Sequence, residues 1–119
     1  MKEVVERAEV AEARKVVEVD LSSLYEVAPT PKARACDLLK ALLEAWGLKY
    51  RLLANMSPDI DVEFFDEEFR RFYRAAERAH VHGAVEEDDI VGAFAEREGA
   101  KAVRLFDGYE WAYALVFPQ

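Results

Sequence analysis

The sequence of 119 residues predicts an α+β fold in which helices pack on an antiparallel sheet. Three observations predict this class. Several short segments alternate apolar and polar residues, other segments place apolar residues at helical spacing, and most of the predicted strands follow one another in pairs. The expected element order is (α)βαββααββ. A chain of this length has room for one hydrophobic core, so we expect a single domain over residues 1–119.

The first part of the chain is predicted to contain a short helix, a strand and a long helix. Residues 2–13 carry apolar side chains at helical spacing, whereas residues 16–21 are rich in β-branched side chains that alternate. The long helix is expected to begin with Thr30 as its N-cap and Pro31 at its first position, and to end at Gly47.

A β-hairpin and a second long helix are predicted next. Residues 48–52 and 60–64 both alternate apolar and charged side chains, and the loop 55–59 lies between them. Asp66 is then expected to cap a helix that ends at Gly83.

The last third is predicted to hold an acidic helix over residues 86–98 and a β-hairpin. Asp107 and Gly108 lie between two apolar runs, which predicts a two-residue turn with Phe106 opposite Tyr109. Both faces of this hairpin are largely apolar, so both are expected to be covered. One face would carry the aromatic and large side chains Phe106, Tyr109, Trp111, Tyr113, Leu115 and Phe117.

Two arrangements fit this order, one ferredoxin-like and one winged-helix-like. In the second, residues 86–99 would be the recognition helix, and they hold six acidic residues against one arginine. Phosphate groups would repel such a helix. Because the whole chain has a net charge of -8, we expect binding neither to duplex nucleic acid nor to a membrane.

The sequence also bears on compartment and source. Cys36 is the only cysteine, the N-terminus has no apolar signal region, and no apolar stretch approaches about 20 residues. We therefore expect a cytoplasmic protein. Asparagine and glutamine occur once each while charged residues make up 34%, a pattern typical of thermophilic proteins.

No motif for catalysis or cofactor binding is present in the sequence. The five glycines are scattered, no serine lies in a Gly-x-Ser-x-Gly motif, and the single cysteine is predicted to be buried on the long helix. The sequence therefore favours a protein that is not an enzyme and has neither a cofactor nor a metal site. A small metal-dependent hydrolase is the alternative, because Asp59, Asp61 and Glu63 would share one face of a strand, with His80 as a further ligand.

Two groups of residues are candidates for interaction. The aromatic hairpin face, with Phe106, Tyr109, Trp111 and Tyr113, is predicted to be either a core layer or an interface. The second group is an arginine stripe, in which an arginine occurs at every fourth position: Arg70, Arg74 and Arg78. This stripe either binds an acidic partner or pairs with local acids such as Asp66, Glu67 and Glu77.

These features favour a non-enzymatic protein–protein interaction module. We expect it to serve as an accessory or assembly-regulating subunit of a larger complex in a thermophilic prokaryote, with a protein partner, self-association as a homodimer, or both. Besides the hydrolase, an acidic mimic of nucleic acid is the remaining alternative, since a chain with this charge could occupy a basic partner.

Overall fold

The computed structural model describes residues 16–19, 34–59, 61–79 and 87–118. The described elements are β1 (Val16–Glu18), α1 (Ala35–Ala45), β2 (Tyr50–Met56), β3 (Glu63–Phe64), α2 (Glu67–Ala79), α3 (Glu87–Glu98), β4 (Lys101–Phe106) and β5 (Trp111–Val116). The predicted α+β class is confirmed. The helix expected in residues 2–13 and the helix stop expected at Gly83 lie outside the described residues.

The five strands form one open sheet in the order β1-β4-β5-β2-β3. β1 runs parallel to β4, whereas the other neighbouring strands are antiparallel. The prediction of an antiparallel sheet is therefore wrong, because the sheet is mixed. The elements α1, β2, β3, α2 and α3 lie between β1 and β4 in the chain. No hairpin connects these two strands, so none requires them to run in opposite directions. The strand order confirms neither the ferredoxin-like nor the winged-helix-like arrangement.

Helices cover both faces of the sheet, as the two apolar faces of the last hairpin predict. The small side chains Ala112 and Ala114 pack in the core on the α1 side. Tyr113 and Leu115 alternate with them and pack in the core formed with α2 and α3. No helix among the described residues has the length and apolarity that crossing a membrane requires.

The start of α1 differs from the prediction. Arg34 is extended, with φ -72° and ψ 157°, so the helix begins at Ala35 rather than near Pro31. Partners distant in sequence take up the free amides of its first turn, because Asn55 Oδ1 accepts a hydrogen bond from Cys36 N at 3.1 Å and Glu110 Oε1 accepts one from Ala35 N at 3.4 Å. As predicted, Cys36 is buried, and burial raises the pKa of its thiol.

The predicted end of α1 at Gly47 and the predicted cap of α2 are confirmed. Gly47 has φ 66° and follows α1, and Leu48 N then donates a hydrogen bond to Leu43 O at 3.1 Å. Asp66 caps α2, because its Oδ1 accepts a hydrogen bond from Phe69 N at 2.9 Å.

Strand β2 continues further than predicted. Asn55 and Met56 were expected in a loop, but both pair with β5, opposite Ala112 and Trp111. The ladder shifts register between Leu52 and Ala54, and the last four residues of the strand are all buried. A simple alternation of apolar and polar residues therefore could not reveal this half of the strand.

The predicted two-residue turn of the last hairpin is also wrong. Phe106 pairs with Trp111, so four residues connect the strands. The Asp107 carboxylate stabilises this loop by accepting hydrogen bonds from Tyr109 N at 2.9 Å and Glu110 N at 2.7 Å. Gly108 supplies the positive φ of 102°. Because the shift is by two residues, each side chain keeps its predicted face.

Candidate functional site

A cavity of about 680 Å³ lies between the segment after β2, the second half of α2, the first turn of α3 and the β4–β5 hairpin. Its acidic side chains are Asp61, Glu77, Glu87 and Asp88. Its aromatic side chains are Tyr73, Trp111 and Tyr113, and Arg104 and Ser57 are its other polar residues. Met56, Pro58 and Val62 complete the wall. The cavity is within the size range of ligand sites in proteins.

A polar cluster anchors one wall of the cavity. Asp88 Oδ2 accepts a hydrogen bond from Arg104 Nη1 at 2.7 Å, and Asp88 Oδ1 accepts one from the Tyr113 hydroxyl at 2.8 Å. Arg104 also pairs with Glu18 of β1 at 3.2 Å. Tyr113 is only 3% exposed, and burial raises the pKa of its hydroxyl. This cluster ties the start of α3 to the sheet.

Tyr73 lies on α2 with its ring packed against Phe64 and Phe69. Its side chain is buried, with 5% of the residue exposed. Burial, together with the nearby carboxylates of Glu87 and Glu77, raises the pKa of Tyr73 to about 12. The Tyr73 side chain lines the cavity, and its hydroxyl is neutral at neutral pH.

Negative charge is in excess at the cavity. Asp61 and Glu77 share Arg74, at 3.3 Å and 2.8 Å. Asp88 pairs with Arg104, so the four cavity carboxylates face two arginines. Within the described part of the chain, Glu87 has no cationic partner. Among the described residues an excess of two negative charges therefore remains, which favours a cationic ligand.

The carboxylates proposed as ligands of a hydrolase metal do not share one strand face. β3 contains only two residues, Glu63 and Phe64, so Asp61 precedes the strand. Asp61 pairs with Arg74, whereas Glu63 pairs with Arg34. No group of three or more His, Cys, Asp or Glu side chains in the described segments is arranged to bind a metal ion. His80 lies outside those segments.

The arginine stripe forms ion pairs with local acids, which is one of the two interpretations of its sequence pattern. Arg70 pairs with Glu67 at 2.8 Å, and Arg74 pairs with Glu77. The predicted pair of Asp66 with Arg70 is wrong, because Asp66 binds Arg51 of β2 instead. Arg78 is exposed in the last turn of α2. An interaction role for the stripe stays a prediction.

The aromatic face of the hairpin is divided among three environments. Tyr113 lies in the core, which confirms the core interpretation for this residue. Phe106 stacks on Trp111 with ring centroids 4.8 Å apart, and both are half-buried. Tyr109 is 49% exposed in the connecting loop. The interaction roles of Tyr109, Trp111 and Phe106 stay predictions.

Several cavity residues were not recognised as a site in the sequence. Tyr73, Glu77 and Glu87 lie on two helices, where they match the ordinary pattern of amphipathic helices. Arg104 offered the clearest signal, because it falls on the strand face that otherwise carries Ala102 and Phe106. A charged side chain on an apolar face requires a partner, and Asp88 is that partner.

Comparison with known proteins identified no family model, no curated protein and no solved structure that matches this chain.

The two buried cavity tyrosines predict a loss of stability at alkaline pH. In the folded protein the pKa of Tyr73 is raised from 10.0 to about 12, and the pKa of Tyr113 is also raised. As the pH rises, these two hydroxyls therefore lose their protons in the unfolded chain before they do so in the folded protein. Stability is then fully present below pH about 10 and declines as the pH rises towards about 12. Guanidinium unfolding at a series of pH values measures this decline, which should be shallower for Tyr73→Phe. A Tyr73→Phe variant that declines as steeply as the wild type would contradict the assignment.

Proposed function

We propose that this protein is a non-enzymatic protein–protein interaction module that binds a basic segment of its partner at the acidic cavity. The observation that carries the proposal is the excess of two negative charges among the described residues of a partly aromatic cavity of about 680 Å³. The module would act as an accessory or assembly-regulating subunit of a larger complex in the cytoplasm of a thermophilic prokaryote. Self-association would occur at a different surface, such as that around Tyr109.

The chemistry of the cavity supports a basic partner. Carboxylates from the loop, α2 and α3 attract cations and speed their encounter, an effect that the net charge of -8 reinforces. Trp111 and Val62 line the cavity and are only half-buried, so they supply surface that a partner can bury. The electrostatic contribution is sensitive to salt, whereas the buried apolar area is much less so.

The two alternatives have less support. For the hydrolase, Asp61 and Glu63 are paired with two different arginines and so are not arranged around one ion. A mimic of nucleic acid would also bind a basic partner, but that partner would release the protein when DNA or RNA is added. Competition with nucleic acid therefore separates this alternative from the proposal.

Affinity capture from a lysate of the source cells tests the proposal. Three baits would be compared: the wild type, the double variant E77Q/E87Q, and the control D37N/E96Q, which removes the same number of charges. Asp37 and Glu96 are both exposed, and neither lines the cavity. We expect a stoichiometric partner on the wild type and on the control, lost from E77Q/E87Q and released by high salt. Equal capture by all three baits, or no stoichiometric partner, would contradict the proposal.

A further inference from the structure

We propose that the cavity binds the main chain of the partner's basic segment, whose peptide carbonyl oxygens accept hydrogen bonds from the Ser57 hydroxyl and from Arg104 Nε–H. This inference rests on the function proposed above and specifies how the segment is recognised. The carboxylates of the cavity would attract the basic side chains of the segment, whereas Ser57 and Arg104 would hold its backbone. Three observations support the assignment.

The first observation concerns two buried polar atoms. Among the described residues, Ser57 Oγ and Arg104 Nε are the buried side-chain atoms that have no hydrogen-bond partner. Both residues lie in the wall of the same cavity. Buried polar atoms in proteins nearly always have a partner, and each exception requires an explanation. The position of both atoms at one cavity points to a ligand of that cavity as the partner.

The second observation is the fixed orientation of the Arg104 guanidinium. Its Nη1 donates to Asp88 Oδ2 at 2.7 Å, and its Nη2 donates to Glu18 Oε2 at 3.2 Å. Because the guanidinium is planar, these two ion pairs also fix the direction of the Nε–H bond. This group can only donate, so its partner must be an acceptor that the ligand supplies. A hydrogen bond from a charged donor is stronger than one between neutral groups.

The third observation is the freedom of the Ser57 hydroxyl. Ser57 directly follows β2, and its Oγ is covered in the free protein without a hydrogen bond that holds it there. Rotation about χ1 moves a serine hydroxyl between staggered positions, and here this rotation breaks no hydrogen bond. The hydroxyl can therefore turn towards a carbonyl group in the cavity. Both unpartnered atoms are covered in the free protein, so side chains of the cavity wall must move when the ligand binds.

The main chain is the source of acceptors in a basic segment. Lysine and arginine side chains carry only donors, so they can pair with Glu77 and Glu87 but cannot accept a hydrogen bond from Arg104. Every residue of the segment, by contrast, has a carbonyl oxygen. A basic peptide thus complements both the negative charge of the cavity and its two unpartnered atoms. A polyamine or an inorganic cation complements the charge alone.

Two probes separate these contributions. An oligoarginine peptide has basic side chains and carbonyl oxygens, whereas spermine at neutral pH has protonated amines and no acceptor. The chain has two tryptophans, so a Trp46→Phe background leaves Trp111 in the cavity wall as the only indole, and its emission follows binding. We expect saturable binding of both probes, and weaker binding of both in E77Q/E87Q.

Ser57→Ala is the decisive variant. It should weaken oligoarginine binding by about fivefold and leave spermine binding unchanged, because only the peptide forms a hydrogen bond with the hydroxyl. The thermal midpoint should stay the same or rise, since removal of a buried hydroxyl without a partner removes a desolvation cost. Tyr50→Phe is the matched control, because the Tyr50 hydroxyl donates to Glu44 at 2.7 Å and lies outside the cavity. It should bind both probes as the wild type does.

The second donor can be followed without a substitution. Replacement of Arg104 would break its ion pairs with Glu18 and Asp88, so its Nε–H signal is observed instead in ¹H–¹⁵N spectra of the labelled protein. Oligoarginine should move this signal downfield as the Nε–H group gains an acceptor. Spermine should leave it in place.

The outcomes separate this inference from the proposed function. Unchanged oligoarginine affinity in Ser57→Ala, an equal loss of spermine affinity, or an Arg104 Nε–H signal that the peptide does not move would overturn main-chain recognition. Each of these results would do so even if a partner is captured and lost from E77Q/E87Q. Peptide binding that depends on Ser57 and moves the Arg104 signal, together with no captured partner, would support main-chain recognition and contradict the proposed function.

Discussion

Replacement of Asn55 by alanine is expected to lower the free energy of unfolding by about 2–4 kcal/mol, because a buried amide and a half-buried carboxylate then lose a hydrogen bond. Asn55 is 2% exposed on β2. Its Oδ1 accepts a hydrogen bond from Cys36 N, and its Nδ2 donates one to Glu110 Oε2 at 3.1 Å. The substitution would remove the hydrogen-bond partners of Cys36 N in the first turn of α1 and of Glu110 Oε2. Guanidinium unfolding measures the effect.

Asn55→Asp provides the matched comparison for this prediction. It retains the oxygen that accepts from Cys36 N but replaces the donor with a second carboxylate beside Glu110. We expect destabilisation at neutral pH that decreases as the pH falls, because protonation of one carboxyl group restores a donor. A loss below about 0.5 kcal/mol in Asn55→Ala, the range of ordinary surface substitutions, would show that this network does not stabilise the fold.

Replacement of Phe94 by alanine is expected to cost about 3–5 kcal/mol, since it removes a buried ring and leaves a cavity. Phe94 is fully buried on α3, and its ring centroid lies 5.3 Å from those of Phe69 and Phe72 on α2. Arg51 of β2 lies over the same ring at 5.5 Å. The side chain therefore joins two helices and the sheet, and a thermal or guanidinium unfolding curve measures its loss.

Phe65→Ala is the control for the second prediction. Phe65 is 42% exposed in the segment before α2, so its removal deletes the same number of atoms with a smaller loss of buried area than in Phe94→Ala. We expect a change below about 1 kcal/mol. If Phe94→Ala were as mild as Phe65→Ala, the packing of α2 on α3 would not contribute to stability as described.

Features determined by local chemistry could be predicted from the sequence. Gly47 and Gly99 both adopt positive φ immediately after a helix, where L-residues with a side chain are disfavoured. Asp66 caps its helix through an amide only three residues away. The alternation of small and large residues in β5 likewise predicted which side chains share a face.

Features that depend on distant partners could not be predicted. The start of α1 is capped by Asn55 and Glu110, which are far from it in sequence. Asparagine is uncommon in strands. Asn55 is accommodated in β2 because its side-chain amide is hydrogen-bonded to Cys36 N and to the Glu110 carboxylate. The parallel pairing of β1 with β4 also joins segments that no turn connects.

The candidate site could not be predicted either, because its residues are far apart in the chain. Asp61, Tyr73, Glu87 and Trp111 come from four separate parts of the chain, and none of them belongs to a recognised motif. The acidic pattern around residues 59–63 suggested a single-segment metal site. In the structure, tertiary contacts distribute those side chains between Arg34 and Arg74.

Mapping of a bound oligoarginine peptide by ¹H–¹⁵N NMR tests the central claim most directly. At 13.6 kDa the protein is small enough for a complete amide spectrum. We predict saturable shifts in the amides of the cavity wall, around Asp61, Tyr73, Glu87 and Trp111, and none in those of the exposed face of α1. Shifts confined to other surfaces, or a spectrum that the peptide does not change, would contradict a basic-residue pocket at this cavity.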